Sequence, residues 1–209
     1  LSTVAYQLAG QATYALEGSI FSAGVAVKWL RDVLSLVVSA EQTEAAAVRA
    51  AGDTGGVFLV PAFTGLGAPH WAAEARGLIT GLTLATNRDQ LITATLQSVG
   101  FQTQDLIDAM AADGAAVSQL RIDGGMVAND WLCQFLADVL AIPVERPDIT
   151  ETTALGAAIL AALGAGEVSD LVGAASLWGS ERVFRPTMPA QQRQQLLAGW
   201  RQAVARALL

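Results

Sequence analysis

The sequence predicts an α/β fold in which a mixed sheet is flanked by helices, and three features carry that prediction. Residues 120–122 alternate between apolar and polar, as in a strand with one buried face, and run into Asp123-Gly124-Gly125. Apolar residues then recur at helical spacing as far as Leu140. A long helix is predicted over residues 88–112, and apolar residues spaced four apart from Leu196 to Val204 predict a final amphipathic helix.

The amino-terminal part of the chain predicts a hairpin followed by two helices and two strands. Gly10 and Gln11 separate the two hairpin strands. Ser19 is the predicted N-cap of the first helix, which Gly24 interrupts at a cost of about 1 kcal/mol relative to Ala. The predicted strands cover residues 3–8, 13–16, 57–60 and 77–82, and the predicted helices cover residues 20–36 and 40–51.

Two further elements follow the central strand–turn–helix unit. Residues 143–146 are predicted to form an edge strand, because prolines at its start and directly after it limit its pairing. A helix rich in small residues follows as far as Leu163, with Thr152 or Thr153 as its N-cap. Its alanines and glycines predict close packing on neighbouring elements. No internal repeat or linker interrupts the chain, so the sequence predicts one α/β domain.

Composition and charge exclude several classes of function. A net charge of −7 and a pI near 4.6 argue against a nucleic-acid partner. No apolar run is long enough to span a membrane. The single Cys133 excludes an internal disulfide framework and favours a reducing, cytoplasmic compartment. With His70 as the only histidine, we expect no structural zinc site. Because Leu1 is not an initiator methionine, we expect the chain to be part of a longer protein.

Two places in the sequence are candidates for ligand chemistry. Amides that follow Gly124-Gly125 at a helix start favour an anion such as a phosphate, and Asn129 adds a donor and an acceptor. The alternative is a plain turn with Asn129 as a polar first-turn residue. The second place is His70, in a long loop rich in glycine and aromatic residues, where it is either a general base or, more often in such loops, a packing residue.

Several motifs, taken in order, resemble the carboxy-terminal domain of the FGGY carbohydrate kinases, and the resemblance runs from about Thr3 to Leu208. Residues 77–97 are similar to the second signature of that family. The other segments that carry the resemblance are Tyr14-Ala15-Leu16-Glu17-Gly18, Trp29-Leu30-Arg31-Asp32, Val60-Pro61-Ala62-Phe63-Thr64-Gly65-Leu66-Gly67-Ala68-Pro69, Ile122-Asp123-Gly124-Gly125 and Val144-Glu145-Arg146-Pro147.

The resemblance implies an actin-like, ribonuclease-H-like ATPase architecture, with two α/β domains flanking a cleft. Residues 1–209 correspond to the nucleotide-binding carboxy-terminal domain, which binds ATP or ADP with Mg²⁺. By this resemblance Gly24 and Lys28 lie on one side of the nucleotide, and Gly125 and Asn129 lie on the other. The family usually has Gln where this chain has Lys28, and an ammonium donates but cannot accept a hydrogen bond. Lys28 therefore either reaches toward a phosphate or lies in solvent, and we favour the solvent position. The resemblance places no catalytic residue and no metal ligand in this chain.

The resemblance is strongest to the family members that phosphorylate glycerol with MgATP, giving sn-glycerol 3-phosphate and ADP. Glycerol would be held by an amino-terminal domain absent from this chain, so residues 1–209 alone are expected to be inactive. The alternatives are another sugar or polyol kinase, such as a xylulokinase, or a non-catalytic module for nucleotide sensing or assembly. The family resemblance also leads us to expect a homo-oligomer for the full-length protein.

Overall fold

The computed structural model describes residues 2–8 and 10–209, and the chain forms two compact units. The first unit contains the chain as far as Val117 together with residues 189–209, and the second contains residues 118–188. The sequence did not predict this division. Helices and short strands occur in both units, which confirms the predicted α/β class.

The first unit begins with the predicted hairpin. Strand β1 (Ser2–Leu8) pairs in antiparallel fashion with β2 (Gln11–Leu16). Gly10 lies between them with a left-handed φ of 80°, a conformation that glycine adopts without steric cost. Gln11 belongs to the second strand rather than to the turn.

The first helix is shorter than the sequence predicts. Helix α1 spans Gly24–Asp32, and no side chain caps its start, so both the predicted span of 20–36 and the Ser19 cap are wrong. Gly24 is the first residue of the helix and does not interrupt it, which removes the expected energetic cost. Ser35 has a left-handed φ of 53°, which prevents the helix from continuing.

A long helix and a short antiparallel strand pair form the centre of the first unit. The predicted helix over residues 88–112 is confirmed at both ends by α3 (Arg88–Ala112). Its start is fixed by a capping box, in which Asn87 and Gln90 each accept a hydrogen bond from the other residue's main-chain amide. The remaining elements of this unit are α2 (Glu41–Arg49), β3 (Phe58–Val60), β4 (Leu78–Thr80), α3 (Arg88–Ala112) and α7 (Ala190–Ala207).

Aromatic side chains from three of these elements form part of the core of the first unit. The ring of Phe101 lies 5.4 Å from that of Trp200 and 5.8 Å from that of Phe58, measured between centroids. Trp200 and Val204 are buried, which confirms the predicted apolar face of the last helix.

The second unit contains a three-stranded mixed sheet whose order differs from the prediction. Its strands are β5 (Leu120–Arg121), β6 (Val144–Pro147) and β7 (Ser180–Phe184). Strand β6 runs parallel to β5 and antiparallel to β7, so it is the middle strand and the predicted edge position is wrong. Pro143 precedes the strand and Pro147 ends it, so neither missing amide interrupts the ladder between them.

Three helices complete the second unit: α4 (Asp130–Leu140), α5 (Thr152–Ala165) and α6 (Leu171–Ala175). Glu151 precedes α5 and no side chain caps it, so the predicted threonine cap is wrong. No residue of α5 is buried, contrary to the close packing that its small residues predict. Throughout the part of the chain that the structure describes, no helix combines the length and apolar character needed to cross a bilayer.

Candidate functional site

The Asp-Gly-Gly turn that follows β5 is held by β6 and by the segment directly after it. The amide of Ile122 donates to the carbonyl of Glu145 at 3.0 Å, and the amide of Gly124 donates to the carbonyl of Thr150 at 3.0 Å. The hydroxyl of Thr152, which the sequence suggested as a helix cap, donates instead to the carboxylate of Asp123. The turn is therefore fixed by several bonds to one neighbouring segment.

The two glycines of this turn leave the main chain open on one side. Gly124 has φ 82°, a conformation that favours glycine, whereas Gly125 begins a short 3₁₀ turn, Gly125–Ala128. A Cβ atom added at either glycine would meet no heavy atom within 4 Å. Another molecule can therefore approach the main chain here, as the sequence analysis expected of the glycine pair.

Asn129 is the N-cap of helix α4 rather than a residue of its first turn. Its Oδ1 atom accepts a hydrogen bond from the amide of Leu132 at 2.9 Å. The 3₁₀ turn Gly125–Ala128 precedes the helix, so α4 begins about one turn later, at Asp130. The plain alternative for this residue, a polar group that supports the helix start, is therefore at least part of its role.

A buried arginine that the sequence analysis did not single out supports the same turn. Arg146, on the middle strand β6, is 7% exposed. Its Nη1 atom donates to the carbonyl of Val127 and to the carboxylate of Asp130, both at 2.7 Å. Its Nε and Nη2 atoms donate to the two carboxylate oxygens of Glu181, at 2.7 and 3.1 Å. Val144 and Arg146 are two positions apart on strand β6, so their side chains lie on the same, buried face of the sheet. That spacing was the signal in the sequence.

The ion pairs of this cluster shift the pKa values of its members. The hydrogen bond to Glu181, with a further contribution from Asp130, raises the pKa of Arg146 against the opposing effect of burial. Burial acts to raise the pKa of Asp130, but the hydrogen bond and charge of Arg146, aided by Arg182, outweigh it and lower that pKa. Asp130 and Glu181 thus pair with arginines. Among residues 2–8 and 10–209, no group of three His, Cys, Asp or Glu side chains could hold a metal ion.

The other two predicted site residues, Gly24 and Lys28, lie in the first unit, whereas Gly125 and Asn129 lie in the second. Gly24 begins helix α1, and Lys28 follows one turn later with an exposed side chain. The hydrogen bond from Arg31 is the main cause of the lowered pKa of Asp32, to which the charge of Lys28 adds a smaller contribution.

His70 is part of a hydrogen-bonded group within the first unit. Its Nε2 atom lies 3.2 Å from Oδ2 of Asp105, and the indole N–H of Trp200 donates to the same oxygen at 2.7 Å. The loop before His70 is tightly packed: a Cβ added at Gly67 would lie 2.6 Å from the carbonyl oxygen of Ser19. These contacts support the packing interpretation of His70.

The sequence pattern of the FGGY family of carbohydrate kinases, C-terminal domain, matches residues 2–165. The match covers well over half of the chain, so the chain belongs to this family, as the motifs predicted. The actin-like, ribonuclease-H-like class expected from the motifs is confirmed by the solved structures that resemble the chain.

The relatives with high identity are glycerol kinases. The chain is 58% identical over 207 residues to the glycerol kinase of Rhodospirillum rubrum and 49% identical over 209 residues to glycerol kinase 2 of Thermotoga maritima. It covers 42% of the length of each. The crystal structure of Plasmodium falciparum glycerol kinase with ADP matches the chain with a TM-score of 0.90 and 34% identity. The match covers all of this chain and 42% of the Plasmodium falciparum chain. The crystal structure of xylulose kinase from Rhodospirillum rubrum matches the chain with a TM-score of 0.79 and 25% identity, over 92% of this chain and 40% of the xylulose kinase chain.

Proposed function

We propose that the longer protein containing this chain transfers a phosphoryl group from ATP to a terminal hydroxyl of glycerol, giving sn-glycerol 3-phosphate and ADP. The observation that carries this proposal is the 49–58% identity to glycerol kinases over nearly the whole chain. The ADP complex of the Plasmodium falciparum enzyme, a close match in fold, supports a nucleotide as one ligand of the parent protein.

The turn at Gly124 and Gly125 fits a phosphate-bearing ligand. Both glycines leave space for close approach to the main chain, and the hydrogen bonds from Thr152 and to Thr150 fix the turn that carries them. Since Oδ1 of Asn129 caps helix α4, we assign the hydrogen bond to the nucleotide to its Nδ2 group, which can only donate. Gly125 and Asn129 together would form one wall of the nucleotide site.

We also assign Gly24 and Lys28 to nucleotide binding. Gly24 opens helix α1, so its lack of a side chain would leave room beside the adenosine at a helix end. Lys28 is exposed and contributes its charge near Asp32, which supports a solvent position for its ammonium group. Bound Mg²⁺ would neutralise phosphate charge, and we assign its ligands, the catalytic base and the glycerol pocket to the part of the parent protein that this chain does not span.

A cytoplasmic location and a homo-oligomeric state are also proposals for the parent protein. Cys133, the single cysteine of the sequence, is buried and forms no disulfide, which supports a reducing compartment. Cell fractionation tests the location, and light scattering on the full-length protein tests the oligomeric state.

The substrate is tested with full-length protein and MgATP against a panel of polyols and ketoses, with ADP release as the readout. We expect kcat/KM for glycerol to exceed that for every ketose. A preference for xylulose would favour the xylulokinase alternative, and ATP binding without turnover on any member of the panel would favour a non-catalytic module.

A further inference from the structure

Arg146 is a buried cation whose bonds converge on one short segment. A guanidinium group so deeply buried needs charged or polar partners for its donors, because its desolvation is otherwise uncompensated. The two oxygens of Glu181 bind its Nε and Nη2 atoms and so fix the plane of the group. That orientation leaves Nη1 to bind the carbonyl of Val127 and the carboxylate of Asp130.

These two acceptors flank Asn129 at close range. Val127 lies in the 3₁₀ turn that begins at Gly125, and Asp130 is the first residue of helix α4. One nitrogen therefore holds the chain shortly before and directly after Asn129. A second bond on the same carbonyl, from the thiol of Cys133, holds the turn from the helix side at 3.2 Å.

We infer that Arg146 is a positioning residue for nucleotide binding: it presets the 125–130 segment through Val127 and Asp130 without contacting the nucleotide. This inference rests on the proposed function, since it takes Gly125 and Asn129 as nucleotide residues. A purely structural role makes a different prediction. A residue that only supports the fold should affect ADP and glycerol alike when it is replaced. Replacing Arg146 alone leaves the carboxylates of Asp130 and Glu181 without their guanidinium partner, which costs stability. Thermal unfolding is therefore measured beside the two affinities for each variant.

The test uses the full-length protein carrying Arg146→Met or Arg146→Lys. Lysine keeps the charge but cannot form the two-atom pairing with Glu181 while binding the other two acceptors. The matched control is Arg121→Met on the neighbouring strand, where Arg121 pairs with Glu145 at 3.4 Å and lies over the ring of Trp178. ADP affinity is measured by calorimetry, KM for ATP and for glycerol by ADP release, and the fold by thermal unfolding.

We expect both Arg146 variants to bind ADP roughly 10- to 100-fold more weakly, by analogy with the loss of metal affinity when groups that orient metal ligands are removed. KM for ATP should rise in step while KM for glycerol stays within about twofold, a split that general destabilisation would not produce. Arg121→Met should leave both constants near those of the wild type. Unchanged ADP affinity in a folded Arg146→Met protein, or equal losses for ADP and glycerol, would overturn the inference.

A milder variant covers the case in which Arg146→Met does not fold. Glu181→Gln keeps the side-chain shape but weakens the pairing that orients the guanidinium group, and it should weaken ADP binding in the same direction. No change in ADP affinity for this variant would also overturn the inference. Asn129→Ser in the same assay separates the proposed nucleotide site from the positioning role of Arg146. If Asn129→Ser leaves ADP binding unchanged, the proposed site is contradicted. If Asn129→Ser weakens ADP binding and the Arg146 variants do not, only the positioning role is contradicted.

Discussion

Asn129 offers a test that separates a supporting role from a binding role. Its Oδ1 atom caps helix α4 through the amide of Leu132 at 2.9 Å. The proposed contact with the nucleotide uses the other end of the same amide group. Asn129→Ala removes both functions, whereas Asn129→Ser keeps an oxygen that can cap the helix and removes the amide donors.

The two functions predict separate free-energy changes. Loss of an N-cap costs about 0.5–2 kcal/mol of folding stability, so Asn129→Ala should unfold more easily than the wild type and Asn129→Ser should not. Loss of a hydrogen bond to the nucleotide costs about 1–3 kcal/mol, which corresponds to roughly 5- to 150-fold weaker binding. Both variants should show this loss of affinity, although only one is destabilised.

The assay pairs denaturant unfolding with ADP calorimetry on the full-length protein, and KM for glycerol serves as the internal control. KM for glycerol should change by less than about twofold, because Asn129 is assigned to the nucleotide alone. An Asn129→Ser protein that binds ADP as tightly as the wild type would show that the amide of this side chain does not bind the nucleotide. The nucleotide assignment of Asn129 would then be wrong.

Four further predictions follow from other parts of the structure. Gly125→Val should abolish ADP binding without changing the melting temperature, since the added side chain enters open space; a large loss of stability would contradict this. Asp130→Asn should lower the free energy of unfolding at neutral pH but not in acid. The pKa of Asp130 in the folded state lies below its unfolded value of about 3.9, so its contribution is present above that pH and is lost as the pH falls through the folded pKa; a difference from the wild type that does not shrink as the pH is lowered would refute it. Trp200→Phe should destabilise the protein by about 1–3 kcal/mol, because the carboxylate of Asp105 loses an indole donor at 2.7 Å; an unchanged unfolding midpoint would show that this hydrogen bond does not stabilise the fold. The 209-residue chain alone should fold cooperatively yet show no glycerol-dependent ADP release, since closure of two domains completes such sites; turnover by the isolated chain would place the catalytic base within it.

The sequence predicted best where local signals agreed with one another. Helix α3 was predicted to the residue because its apolar pattern is long. The capping box of Asn87 and Gln90, which fixes the start of the helix, was found only in the structure. Helix α1 was predicted too long. The left-handed conformation of Ser35 ends it, and nothing in the identity of a serine signals that conformation.

Other errors came from contacts between segments distant in sequence. Thr152 was a reasonable helix cap by residue type, but its hydroxyl binds Asp123, a partner 29 positions away. The prolines around β6 indicated an edge strand, whereas they lie at the ends of the middle strand. The composition of α5 shows that the helix is apolar, but it does not show which surface, if any, covers it.

The proposed nucleotide wall depends on a contiguous motif, which the sequence shows directly, and on residues distant in sequence, which it does not. The glycine pair and Asn129 form a contiguous motif, so their position after a strand could be inferred directly. Their geometry depends on Arg146 and Glu181, which stand 17 and 52 positions beyond Asn129 and meet only because β6 pairs with β7. A motif therefore identifies the residues that face a ligand, whereas the pairing of strands determines whether their turn is rigid enough to bind it.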